Sequence, residues 1–342
     1  GLNASWTIYN GSKRLNTIKQ ERLNNQVANL DVETSENSIQ ESIAQIYIQI
    51  LYAAESVKVN ENTLQVSIAQ RDRGQELLNA GSIAKSDFAQ LEAQVSTDRY
   101  QLVTAQATLQ DYKLQLKQLL ELDGENEMNI YLPVLSDENV LLPLPAKKDV
   151  YMSALTLRPE IEASKINVEA SELGIDIAKA GYLPTISLSA GIGTNHTSGS
   201  DFTFGEQVKN GWNNSIGVSV SVPIFNNRQT KSAVQKAKLQ RETSLLSLLD
   251  EQKTLYKTIE GLWLDANSAQ QRYAAANEKL KSTQISYDLI SEQFDLGMKN
   301  TVELLTEKNN LLQAQQEQLQ AKYMAILNTQ LLKFYQGDKL AL

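Results

Sequence analysis

The chain has 342 residues, a net charge of −8 with acids and bases interspersed, no Cys and one His, His196. This balance lacks the basic stripe of a nucleic-acid binder, and the Cys and His counts exclude disulfides, thiolate nucleophiles, His-based triads and multi-His metal sites. No run of about 20 apolar residues occurs, which excludes a transmembrane helix; a membrane strand escapes that test, because only alternate residues need be apolar.

The first ten residues alternate, with Leu2, Ala4, Trp6 and Ile8 on one face, and predict the end of a strand. The pattern is already under way at residue 1, so a partner strand and its preceding helix are expected upstream. Residues 12–79 hold no Pro and only one Gly, Gly74. Ile39, Ile43, Ile46, Ile50, Ala53, Val57, Leu64 and Ile68 recur at spacings of 3, 4 and 7, those of a coiled-coil seam. "NAGS" at 79–82 breaks the run. A second helix is predicted from about 84 to 122, with Leu91, Val95, Leu102, Ala105, Leu109, Tyr112, Leu116 and Leu119 on one stripe. Helices this long, at about 1.5 Å per residue, must lie side by side in a bundle.

Residues 123–157 carry three of the six prolines and read as an irregular connector; 158–180 read as helix. In "GYLPTISLSAGIGT", Ile186, Leu188, Ala190 and Ile192 alternate with Thr, Ser and Gly, which predicts a strand with one apolar and one small polar face. "NHTSGSDFTFGEQVKNG" is a predicted loop. "WNNSIGVSVSVPIF" is a second strand, with Ile216, Val218, Val220, Val222 and Ile224 on one face. A long helix follows from 228 to about 294, with Asn226 and Asn227 capping its start. "LGMKN" (296–300) is a turn. The last helix sets Val302, Leu305, Asn309, Leu312, Gln316, Leu319, Tyr323 and Ile326 on its seam, the two amides fixing register.

The chain repeats itself. "IYNG" at 8–11 and "IFNN" at 224–227 are the same strand-to-helix junction, 216 positions apart, as are Gly81 and Gly297. Between them Ile43 meets Ile259, Tyr47 meets Trp263 and Leu64 meets Leu280, with no gap over about 80 residues. One inserted residue would turn a helical stripe by about 100°, so an ungapped match means the two helix pairs do equivalent work. Two strands and a strand end cannot close their own edges. A soluble β-sandwich and a membrane barrel both fit the alternation; small Ser, Thr and Gly on the inner face favour the barrel, with Phe202, Phe204 and Trp212 where an aromatic girdle would lie.

"LLNAGSIAKSDFAQLEAQ" (77–94), "RPEIEASKINVEASELGIDIAKAGYLPTISLSAG" (158–191), "VSVPIFNNRQTKSAVQKAK" (220–238) and "FDLGMKNTVELLTEKNNLLQA" (294–314) resemble the TolC-like outer-membrane efflux duct family, the outer-membrane factors of tripartite efflux or type I secretion. The resemblance implies a mostly α fold. Internally duplicated long antiparallel helical hairpins (11–122 and 227–337) form an α-barrel, strands (1–10 and 181–226) join a shared trimeric β-barrel in the outer membrane, and 123–180 form an equatorial connector and helix. It implies a homotrimer set in outer-membrane lipid with a large periplasmic portion. The partners would be a periplasmic adaptor (membrane fusion protein) and an inner-membrane RND or ABC transporter. By this likeness Gly81, Ser82, Ile83, Gly297 and Met298 form the periplasmic tip that docks the adaptor. Ser86, Asp87, Phe294, Lys299, Glu303 and Thr306 would surround the aperture, with a Lys299–Asp87 ion pair as latch. Phe294 lacks the hydroxyl and Thr306 the second acid of the best-known members, which leaves three carboxylates in any ring at the tip.

Read without the resemblance, Gly81 and Gly297 are left-handed residues ending helices, and Glu303 is a solvated acid near a helix start. No catalytic constellation or cofactor site is expected: "GIG" at 191–193 lacks the third glycine of a dinucleotide loop, and His196 reads as an exposed loop residue. The competing functions are a non-membrane coiled-coil spacer, which leaves the strands and their matched junctions unexplained, and an adaptor-independent channel, which needs more strands per chain.

Overall fold

The computed structural model describes residues 1–122, 130–133 and 140–340, so part of the expected connector lies outside the described residues. The elements run β1 (Leu2–Asn10), α1 (Lys13–Asn79), α2 (Lys85–Leu119), α3 (Lys147–Leu157), α4 (Pro159–Lys179), one turn of 3₁₀ helix, β2 (Thr185–Gly193), α5 (Phe204–Asn210), β3 (Asn213–Ser221), α6 (Gln229–Asp295) and α7 (Thr301–Gln336). α1 and α6 are 67 residues each, about 100 Å of helix.

The duplication is written in the backbone. Left-handed residues interrupt the chain at Gly11, Ser12, Gly81 and Glu121, and again 216 positions later at Asn227, Arg228, Gly297 and Gly337. L residues adopt this conformation at a cost of about 1–2 kcal/mol, so four matched positions, two of them adjacent, mark three matched turns. Both copies carry glycine at one of the four pairs, Gly81 and Gly297. Gly11 is matched by Asn227 and Gly337 by Glu121, and at Ser12 and Arg228 neither copy has glycine.

One compact unit comprises Gly1–Thr34 and Arg158–Thr254. Its sheet is antiparallel in the order β1-β2-β3. The register aligns like with like across all three strands: Trp6 with Leu188 and Val218, Ala4 with Ala190 and Ile216, and between them Ser5 with Ser189 and Gly217. A bulge at Ile8 shifts the register before Tyr9. α1 begins where the Asn10 carboxamide oxygen accepts from Arg14 N at 3.1 Å. Helices α1, α4 and α6 of this unit are joined by polar contacts: Gln20 Nε2 donates to the Ala170 carbonyl at 2.8 Å, and Arg241 Nε to Glu172 at 2.9 Å. The Asn226 side chain bonds Thr230 Oγ1, whose hydroxyl reaches the Gly181 carbonyl at 3.2 Å.

The second unit comprises Ser35–Leu157 and Leu255–Leu342. Its main core gathers Ala44, Ile48 and Leu51 of α1, Ala269 and Tyr273 of α6, and Leu319, Tyr323, Ile326 and Leu331 of α7, with Val140. Of the α1 seam, Ile50, Ala53 and Leu64 are buried and Ile39 is exposed.

Two stretches read as irregular are helical. α3 lies in the expected connector; Val150 and Ala154 face inward, and Tyr151 stacks edge-on against Tyr256, 5.3 Å between centroids. α5 lies in the expected loop, where Thr203 and Glu206 form a capping box. Its two apolar residues on an exposed surface give no periodic stripe, so the cap is its only signal. β3 ends at Ser221, and Val222 and Ile224, expected on the strand, lie beyond it.

Candidate functional site

The two helical hairpins of the second unit turn by the same device. Gly81 N donates to Leu78 O at 2.9 Å and Ser82 N to Leu77 O at 2.8 Å; 216 positions on, Gly297 N donates to Phe294 O at 2.9 Å and Met298 N to Gln293 O at 2.8 Å. This is the Schellman pairing, closed by a left-handed glycine. Gly81 and Gly297 have φ of 75° and 74°, and a Cβ on either would meet nothing within 4 Å. The return helices then start alike: Asp87 turns back to Ala84 N at 3.4 Å, and Glu303 to Asn300 N at 3.2 Å.

Both turns lie at one end of the unit. Leu91, Phe294 and Leu304 form a small core there, with Leu77, Tyr287, Ile290 and Leu305 packed on it. Gly74, the lone glycine of the first long helix, admits this packing, because a Cβ would lie 2.3 Å from Leu91 Cδ1. Arg73 Nη2 reaches the Asp295 carbonyl at 3.4 Å, and Gln70 Nε2 donates to Tyr287 Oη at 2.8 Å.

The residues named from the sequence divide into three groups. Gly81, Ser82, Gly297 and Met298 are exposed, and Ile83 is half-buried. Ser86 and Thr306 are exposed, Asp87, Lys299 and Glu303 half-buried. Phe294 is 2% exposed. An apolar ring at this position packs on Leu91 and Leu304, so it supports the turn from within and offers no surface to an aperture. The Lys299–Asp87 pair is also corrected within the chain: Lys299 Nζ binds Glu303 Oε1 at 2.6 Å, one helical turn away. That short-range partner, with the Asn300 backbone N–H, holds the Glu303 carboxyl below the ordinary carboxylate range.

Sequence reasoning missed the most deeply buried charges among the described residues. Asp98 on α2 and Lys308 on α7 form an ion pair whose side chains are 1% and 4% exposed. Lys308 Nζ donates to Asp98 Oδ2 and to Ser67 Oγ on α1; the Ser67 hydroxyl donates to the same carboxylate oxygen. Gln94 Nε2 donates to Asp98 Oδ1 at 2.9 Å. Burial pushes the Lys308 pKa down, against the pull of Asp98. The expected α7 seam is one residue out of phase here: Val302 and Asn309 are exposed, and Thr301, Leu304, Lys308 and Leu311 are buried. A signal existed in α2, where the stripe jumps from Val95 to Leu102 and Asp98 fills the gap at spacings of 3 and 4.

The sheet is the second candidate surface. Ile216 is 85% exposed, and Val218, Val220, Trp6 and Leu2 are exposed beside it. The other face carries Asn3, Ser5, Thr7, Ser187, Ser189, Ser215 and Ser219. β1 and β3 each have one edge unpaired by the described residues. Phe202, Phe204 and Trp212 are exposed around α5, and His196 is an exposed residue bonded to Gln207 at 3.1 Å and packed edge-on against Phe204.

Known proteins share this architecture. The family described as outer membrane efflux protein matches residues 150–337. The outer membrane efflux protein BepC of Brucella suis biovar 1 (strain 1330) is 25% identical over 294 residues, 85% of this chain and 61% of its own length. The outer membrane protein TolC of Escherichia coli (strain K12) is 23% identical over 338 residues, 96% of this chain and 66% of its own. This chain thus spans under two thirds of the length of either. A crystal structure of CusC superposes with a TM-score of 0.84 at 19% identity, covering 98% of this chain and 77% of that one, so the two chains share a fold. On the family match, over half its length, the chain belongs to the outer membrane efflux protein family.

Proposed function

We propose that this chain is one stave of a trimeric exit duct in the outer membrane. Three copies would close a shared β-barrel above a hollow helical cylinder, passing solutes or secreted polypeptides out of the periplasm. The observation that carries the reading is the sheet: rows of apolar residues aligned across three strands and exposed, a hydroxyl-bearing opposite face, and unpaired edges. In water an open apolar sheet is an aggregation site; in a closed barrel the same face meets lipid, the hydroxyls meet the bore and the edges find partners.

The exposed glycine turns suit docking. Gly81, Ser82, Ile83, Gly297 and Met298 would seat the helical hairpin of an adaptor that links the duct to an energised inner-membrane transporter. Ser86, Asp87, Lys299, Glu303 and Thr306 would border the aperture. Phe294 acts behind them as packing.

The test uses the protein extracted from membranes. A detergent-requiring trimer that conducts in planar bilayers is expected, and Cys placed at Ser82 or Met298 should crosslink an adaptor in cells. A monomer soluble without detergent removes the proposal in favour of a coiled-coil spacer. A conducting trimer with no crosslinked adaptor leaves a channel that works alone and removes the tripartite part.

A further inference from the structure

We infer that the buried Asp98–Lys308 pair clamps the return helices of the two hairpins together and sets the duct's resistance to opening, a role the exposed charges at the glycine turns do not fill. The inference rests on the duct reading. Asp98 lies on the return helix of the first hairpin, Lys308 on that of the second, and Ser67 on α1 binds both. Three helices therefore meet at one charge centre. By contrast Lys299–Glu303 lies at the start of a single helix and is part-exposed, and Arg73–Glu76 lies within α1. Neither ion pair spans the two hairpins; Arg73 crosses to the second only through its long contact with the Asp295 carbonyl.

Burial decides what such a centre does. An exposed ion pair is screened over about 8–10 Å at ordinary salt, whereas a pair closed off from solvent is not. The position of the bond also matters. Below it, toward the turns, lie the small core around Leu304, the neutral Gln70–Tyr287 bond, the long Arg73–Asp295 carbonyl contact and the exposed tip. Separating α7 from α2 must therefore part the charges and leave each unpaired in an apolar setting, the condition under which a buried pair costs most. The acceptor and donors are satisfied only while all three helices stay in register: Asp98 accepts from Ser67, Lys308 and Gln94 together. Sliding α7 by a turn would bring Glu307-to-Leu312 neighbours to Asp98, among which no second lysine stands. The pair thus specifies one register. The closed state it holds is insensitive to salt, unlike one held at the tip.

The experiment compares trimers of the wild type, Asp98→Asn, Lys308→Met and, as a control that removes an exposed pair within α6, Lys281→Met. Amide hydrogen exchange is read across Thr301–Leu312 and conductance in planar bilayers, each at low and high salt. The wild type should show the same exchange protection at both salts. Asp98→Asn and Lys308→Met should exchange faster by about two orders of magnitude or more and conduct more, while Lys281→Met stays near wild type. Should the single variants fail to fold, the Cys-free background allows Asp98→Cys/Lys308→Cys: bridged by a short bis-maleimide it should be protected, and capped with N-ethylmaleimide it should not. Folded single variants with wild-type exchange, faster exchange with unchanged conductance, or equal exchange in bridged and capped protein overturns the inference. A wild type that never conducts while the exchange effects hold removes the duct reading and leaves the clamp as a structural tie.

Discussion

Gly11 and Gly81 share a backbone conformation and differ in surroundings, so the same substitution separates conformational strain from crowding. Both are left-handed, at φ of 66° and 75°. Alanine in that region costs about 1–2 kcal/mol at either site. At Gly81 that is the whole cost, because the new Cβ meets nothing within 4 Å. At Gly11 it would lie 2.7 Å from Leu183 Cβ and 2.9 Å from the Ala180 carbonyl oxygen. A carbonyl cannot rotate out of the way as a side-chain tip can, and such overpacking adds about 1–3 kcal/mol. Gly11→Ala should therefore cost about 2–5 kcal/mol and Gly81→Ala about 1–2. In a chain of this size each kcal/mol moves the melting temperature by about 2 °C. Circular dichroism melts of the detergent-purified trimers, at one scan rate, read the difference. Asparagine refines the test: it tolerates the left-handed region, so Gly81→Asn should recover most of the loss, and Gly11→Asn should not, because its Cβ meets the same atoms. Equal losses for the two alanine variants, or recovery at Gly11 by asparagine, would refute the reasoning.

Three further outcomes are expected. Trp263 Nε1 donates to the Pro145 carbonyl at 3.1 Å and its ring carries Lys147 Nζ at 4.9 Å, so Trp263→Phe should cost about 1 kcal/mol and speed proteolysis between residues 140 and 147, read by mass spectrometry. Ile216→Arg should cut insertion of the trimer into outer-membrane vesicles, at a cost of about 2–4 kcal/mol near mid-membrane, whereas Ser215→Arg, one residue earlier and on the other face, should insert and alter ion selectivity. Because the folded pKa of Glu303 lies below its unfolded value, near 4.3, its cap is at full strength above that value and fades as pH falls through the lowered one. The melting difference between wild type and Glu303→Gln should accordingly be present at pH 7 and gone well below pH 4.

What the sequence revealed depended on whether a residue's type agreed with its place. The strand faces were legible because Ile, Val and Leu alternate with Ser and Thr. The glycine turns were legible because Gly81 and Gly297 interrupt long unbroken runs. Asp98 and Lys308 were not, because their types mark solvent while their positions mark the seam. A stripe traced through apolar residues alone steps over an acid in α2, and in α7 it slips to the neighbouring phase through Val302 and Leu305. Phe294 failed in the opposite sense: its type marks the core and it is in the core, and only its alignment with a gating position in related ducts suggested an aperture. The short helices α3 and α5 were hidden for want of length, since 11 and 7 residues give too few turns to establish a period.

The repeat also shows how a duplicated wall can carry a single lock. Backbone features pass from one copy to the other: the hairpin turns, the left-handed residues and the helix starts all recur at the same offset. The charge centre does not. The counterpart of Asp98 is Ala314, that of Lys308 is Glu92, and that of Ser67 is Thr283. A symmetric copy would set a second centre between the same four helices, and each would have to break for the hairpins to part. Among the described residues the hairpins share apolar and neutral contacts at several depths, and a buried charge centre at this one, between the small core around Leu304 and the main core around Tyr323 and Leu331. The equivalent backbones make a continuous wall, and the unequal side chains decide where that wall is held shut.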